Sequence, residues 1–118
     1  MTVQECYAAL DGNYEEVLKR MMNKEALVSR FLKKFEQDSS FDRLCKAMEE
    51  KQIEEAFREA HTLKGLCQNM AFTALCKPVE ELTECLRAGI YDDTALGYFE
   101  QVKEKYKIVR AEIAKLDD

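Results

Sequence analysis

The stretch QIEEAFREAHTLKGLCQNM, residues 52–70, is the longest unbroken run of helical periodicity in the chain, and its reading decides the fold. With Ile53 set at zero and each residue advancing about 100°, the side chains of Ile53, Ala56, Ala60, Leu63, Cys67 and Met70 fall in one arc around 320°. An apolar arc of that width has to be covered by other helices. On the same wheel His61 lies near 80°, Lys64 near 20°, Gly65 near 120° and Gln68 near 60°. These residues share one flank, off the centre of the buried arc, and form a single surface patch.

Working outward, the same periodicity recurs on both sides. Residues 3–10 read as a short helix with Thr2 as its cap, ended by the turn pair Asp11-Gly12. Asn13 caps residues 14–22, where Tyr14, Val17, Leu18 and Met21 recur at three-to-four spacing. Asn23 precedes a third segment, residues 24–37, with Leu27, Val28, Phe31, Leu32 and Phe35 as its stripe. Asp38-Ser39-Ser40 breaks and restarts the helix, and Phe41, Leu44, Cys45 and Met48 carry the pattern to about Glu50. Beyond Met70 the pattern resumes at Phe72 or Thr73 and runs to Arg87, with Leu75, Val79, Leu82 and Leu86 inward and Gly89 as the stop. Pro78 is expected to start the regular part of that helix or to bend it. Asp92, Asp93 and Thr94 open a last helix whose stripe runs from Leu96 through Phe99, Val102, Tyr106, Val109 and Ile113 to Leu116. The architecture that follows is all-α, an antiparallel bundle with a four-helix core and one or two short extra helices at the amino end.

Composition bounds the function. At 118 residues the chain is one domain's worth, residues 1–118. Hydrophobic residues make up 47% and charged residues 35%, a balance of folded soluble domains, and no apolar run approaches membrane-spanning length. The opening MTVQECYAAL lacks a basic segment followed by an apolar stretch and a cleavage site, so the expected compartment is the cytoplasm. A net charge of −5 without a basic, aromatic-interleaved stripe argues against nucleic acid and anionic membrane as partners. Cysteines number five, with no CxxC pair, and read as reduced, mostly buried thiols. Cys67, Cys76 and Cys85 are nine residues apart, which on one continuous helix would alternate between opposite faces and assemble no metal site. One histidine and scattered cysteines supply neither a hydrolytic triad nor a ligand set.

The flank bearing His61 has a specific chemical sense. An imidazole at i, an ammonium at i+3 and a residue without a side chain at i+4 are neighbours on a helix surface. Glycine in mid-helix costs about 1 kcal/mol relative to alanine, so Gly65 asks for a reason. Access is one: without a Cβ there, another molecule can approach the ring closely, while Lys64 neutralises the oxygens of a phosphoryl group on it and Gln68 offers an amide hydrogen bond. Neutral imidazole is a good nucleophile near pH 7, and phosphoryl transfer needs mainly positioning and charge neutralisation. The plainer alternatives are a surface histidine of no consequence, a solvated lysine and a glycine that permits close helix packing.

The string Ala60-His61-Thr62-Leu63-Lys64-Gly65 resembles the signature of histidine-containing phosphotransfer (HPt) domains: a histidine, two residues later a hydrophobic one, then Lys-Gly. Cys67 stands where the family favours a small residue. Ala71 replaces the usual glycine ten positions after the histidine, and Leu66 is bulkier than the residue often found there. Leu75 and the segments Glu81-Leu82 and Arg87-Ala88-Gly89 continue the likeness, as do Phe35-Glu36 and residues 41–50 before the histidine helix.

The resemblance implies a helical bundle in which His61 accepts a phosphoryl group from a receiver-domain aspartate and passes it to another receiver in a multistep phosphorelay. Lys64 is then the phosphate-stabilising cation and Gly65 the access position. The implied partners are response-regulator receiver domains and a hybrid sensor histidine kinase, with no cofactor on this chain and Mg²⁺ on the receiver. Docking is expected on an apolar patch beside His61, with Phe57, Met21 and Met22 as candidates. The chain is read as a monomeric, free-standing carrier from Met1 to Asp117-Asp118 with no kinase or hydrolase activity of its own. Two other readings stay open: the phosphoacceptor domain of a chemotaxis-type histidine kinase, and a helical adaptor that binds receivers without being phosphorylated.

Overall fold

The computed structural model describes residues 1–116, so the terminal pair Asp117-Asp118 lies outside the described residues. Local capping chemistry sets most helix starts. Thr2 opens α1 (Val3–Ala9) with a full capping box: its hydroxyl accepts from the Glu5 N–H, and the Glu5 carboxylate accepts from the Thr2 N–H. Asn13 accepts from the Glu16 N–H to open α2 (Tyr14–Arg20). Lys24, not Asn23, occupies the cap position of α3 (Glu25–Gln37), because Met22 and Asn23 both turn into the left-handed region to end α2 early. Asp38 accepts from the Ser40 N–H at 2.8 Å where α4 (Ser40–Glu49) restarts the chain. α5 (Ile53–Asn69) and α6 (Thr73–Arg87) follow, and Asp92 caps α7 (Asp93–Ala114) by accepting from the Ala95 N–H.

Helix ends repeat one device. A residue in the left-handed region directs two N–H groups back to orphan carbonyls of the last turn. Gly89, at φ +74°, ends α6 in this way as expected. At the other ends the residue is not glycine: Asp11 (rather than Gly12), Lys51 and Ala71 adopt φ of 55–57°. Pro78 lies in the sixth position of α6, neither starting the helix nor ending it. Its missing N–H leaves the Ala74 carbonyl without an intrahelical donor.

The four-helix core is present, with one of its members broken. α5 packs between α4 and α6, and α6 packs on α7. α7 has 22 residues, a length of about 33 Å, whereas α3 and α4 have 13 and 10, or about 20 and 15 Å. In series, α3 and α4 cover α7 antiparallel to it. Phe35 of α3 lies 5.8 Å from the Tyr106 ring, and Phe41 of α4 stacks on the same ring at 3.8 Å. Further along, Cys45 and Met48 meet Leu96 and Phe99 around a common cavity. The helix break at Asp38-Ser39 thus falls opposite the middle of α7.

Both short amino-terminal helices exist, and the turn between them latches onto the α5–α6 turn. The Tyr7 hydroxyl donates to the Met70 carbonyl at 2.8 Å, the Asn13 N–H to the Ala71 carbonyl at 2.9 Å and the Ala74 N–H to the Asp11 carbonyl at 3.2 Å. Among the described residues no helix is long and apolar enough to cross a membrane.

Candidate functional site

α5 presents its flank as the wheel arranges it. Ala56, Ala60, Leu63, Cys67 and Met70 are buried, while His61, Gly65 and Gln68 are exposed and Lys64 is half-buried. The half-buried Ile53 begins the inward stripe at the end of the bundle. Leu66, bulkier than the family habit, is half-buried.

His61 stands against one aromatic neighbour. The Phe57 ring, one turn earlier, is 5.9 Å from the imidazole with the planes at 50°. Arg87, from the last turn of α6, holds its guanidinium 4.9 Å from the centre of the Phe57 ring and pairs with Glu84 at 3.2 Å. Phe57 is therefore a wall between the imidazole and a cation from the next helix. Ile53, Leu86 and Gly89 continue that wall into an open groove of about 340 Å³. Of the other docking candidates, Met22 is 67% exposed on the α2–α3 turn. Met21 is a correction: it is 5% exposed, because the turn that ends α2 tucks it into the core and leaves its neighbour outside.

Gly65 separates two explanations for a helical glycine. A Cβ built there has no heavy atom within 4 Å, so no neighbouring helix needs the missing side chain. Gly12 is the opposite case: a Cβ would sit 2.8 Å from Leu10 Cδ1 and from Tyr7 Cδ2, and 3.1 Å from the Ala71 carbonyl. The space left by Gly65 opens to solvent on the flank that carries His61. Gln68 is committed elsewhere, its amide donating to Glu80 of α6 at 3.3 Å.

Sequence reasoning missed Arg87, which reads on its own helix as a solvated cation in a last turn. It also missed Glu59, which is 9% exposed and pairs with Arg43 of α4 at 3.0 Å. That contact raises the Arg43 pKa, through its hydrogen bond to Glu59 first and then through the carboxylate's charge. Glu59 and His61 are about 160° apart around α5, so the pair anchors the helix from the side opposite the imidazole. No group of three or more His, Cys, Asp or Glu side chains among the described residues is arranged to hold a metal ion.

A family model for the Hpt domain matches residues 26–115. The chain belongs to the Hpt domain family. Neither the curated proteins nor the solved structures contain a match to it. Hpt domains are phosphocarriers of phosphorelay signalling rather than enzymes, and they interact with receiver domains of response regulators. The matched region begins in the first turn of α3 and takes in the whole four-helix core, while α1 and α2 precede it.

Proposed function

We propose that this Hpt protein carries a phosphoryl group on His61, taking it from the aspartyl phosphate of one receiver domain and giving it to the aspartate of another. The observation that carries the reading is the open space over Gly65 on the exposed flank of His61. A helix-destabilising residue with no packing role has its use in letting a second molecule reach the ring.

In the transfer, the unprotonated ring nitrogen attacks phosphorus as the P–O bond to the donor aspartate breaks in line. The other nitrogen keeps its proton, and the ring carries the positive charge until the group moves on. Lys64, one turn further along the same flank, neutralises phosphoryl oxygens as charge spreads over them. Mg²⁺ belongs to the receiver, where it holds the acidic pocket that donates or accepts the group. Phe57, backed by Arg87, and Met22 supply apolar surface for the receiver to cover, with polar residues around them.

The remaining parts of the proposal are coarser. Residues 1–118 act as one monomeric Hpt domain in the cytoplasm, without kinase or hydrolase activity of their own. A hybrid sensor histidine kinase supplies the phosphoryl group through its receiver.

A phosphorylated receiver mixed with this protein should pass on an acid-labile, base-stable label, and His61→Gln should accept none. Labelling of the His61→Gln protein would refute the assignment, and chelation of Mg²⁺ should stop exchange with the receiver. An adaptor that is never phosphorylated would bind receivers equally well with His61→Ala and take no label in its native form. A chemotaxis-type phosphoacceptor would be labelled by a kinase core directly, without a receiver.

A further inference from the structure

Cys67 and Cys76 would face opposite ways on one continuous helix, but the chain turns between them at residues 70–72. That three-residue connection sets them on adjacent antiparallel helices, equally far from the turn. The Phe72 N–H donates to the Cys67 carbonyl at 3.0 Å, and the Cys76 N–H donates to the Phe72 carbonyl at 2.8 Å. One step outward, the bond from Gln68 to Glu80 fixes a register in which residue 76 lies across from residue 67. Cys67 is fully buried and Cys76 is half-buried at the edge of the same core.

The two thiols differ in character. Burial pushes the Cys67 thiol well above its ordinary pKa. Cys76 moves the other way: a hydrogen bond from Cys67 favours its thiolate, with Arg20 helping and burial, Glu80 and Glu16 opposing. The three remaining cysteines are all pushed up, chiefly by burial, Cys6 to about 11. Of the five, Cys76 alone combines a lowered pKa, partial access and a second thiol beside it.

We propose that Cys67 and Cys76 form a peroxide-oxidisable pair, with Cys76 as the attacking thiol and Cys67 as the resolving one, joining α5 to α6 by a disulfide. The Cys76 thiolate attacks one oxygen of hydrogen peroxide, so that an S–O bond forms as O–O breaks, and the departing hydroxide takes up a proton to become water. The Cys67 sulfur then attacks Cys76 Sγ, S–S forms as S–O breaks, and the Cys67 proton leaves with the hydroxide as a second water. Two thiols are oxidised and one peroxide is reduced to two waters. A disulfide needs Cα atoms within about 7 Å, a condition two helices meet most readily beside a tight turn. The product would lock the carboxyl-terminal end of the helix that carries His61.

The test reads thiol chemistry and is independent of phosphotransfer, so failure of one leaves the other standing. The native protein is treated with hydrogen peroxide, and free thiols and intact mass are measured after denaturation. The expected result is loss of two of the five thiols and of two hydrogen atoms in mass, reversed by dithiothreitol. Chymotryptic cleavage after Phe72 should then release a linked peptide pair containing Cys67 and Cys76. Cys76→Ser should lose thiols about tenfold more slowly. Cys67→Ala should stop at a sulfenic acid on Cys76 that dimedone traps, with far-ultraviolet circular dichroism reporting that it still folds. If Cys67→Ala does not fold, the peptide map of the native protein decides. Retention of all five thiols while glutathione in the same tube is oxidised would overturn the proposal, as would linkage through Cys45 or Cys85 or between molecules.

Discussion

Replacing Gly65 with alanine separates access from packing in a single residue. Since a Cβ there meets nothing within 4 Å, Gly65→Ala should stabilise the protein by about 1 kcal/mol, the helix preference of alanine, seen as a raised thermal midpoint. The same variant should slow phosphotransfer about tenfold, on the order of 1.4 kcal/mol in the barrier, because the methyl group narrows the approach to His61. A stabilised protein that transfers at the native rate would remove the access argument. Lys64→Ala tests the second member of the patch. Loss of a charge-assisted hydrogen bond to the phosphoryl group is worth about 1.5–3 kcal/mol, so transfer should fall roughly 10- to 100-fold with little change in the thermal midpoint. Lys64→Arg should restore part of the rate. All three patch residues were legible in the sequence, because neighbours at i+3 and i+4 are set by helix geometry alone.

Turns between helices carry the strain in this fold. Ala71 ends α5 in the left-handed region, where a Cβ costs roughly 1–2 kcal/mol, and its carbonyl accepts from the Asn13 N–H. Ala71→Gly should therefore raise the unfolding midpoint and leave phosphotransfer unchanged. This supplies a physical reason for the glycine that the family favours at that position: it relieves a helix end and makes no contact with the phosphoryl group. Gly12→Ala should do the reverse, destabilising by about 1–3 kcal/mol as its methyl presses on Leu10 and Tyr7, read in urea denaturation. The sequence placed the Asp11-Gly12 turn correctly but suggested glycine as its left-handed residue. The structure assigns that conformation to Asp11 and uses Gly12 for close packing, a choice set by Tyr7 and Ala71 from outside the turn.

At the scale of the whole bundle, Tyr106 joins the two half-length helices to the longest one. Its ring touches Phe35 of α3 and stacks on Phe41 of α4, so it spans the break at Asp38-Ser39. Tyr106→Ala should cost about 3–5 kcal/mol, the usual range for removing a large buried aromatic. The expected signature is a lower denaturation midpoint in urea with a single transition, since α3 and α4 lose the same partner. Two separated transitions would mean that α3 with α1 and α2 unfolds as a unit apart from the remaining core.

By itself the sequence determined the helices, their caps and the grouping of His61, Lys64 and Gly65, because each depends on periodicity and hydrogen bonds within a few residues. Only the tertiary structure decided how helices share their faces. It drew Met21 into the core, turned the Gln68 amide to Glu80, buried Glu59 against Arg43, brought Arg87 over Phe57 and set Cys67 across from Cys76. The reason is register: which residue of one helix lies opposite which residue of the next follows from the fit of whole apolar faces, and no local signal in either segment encodes it.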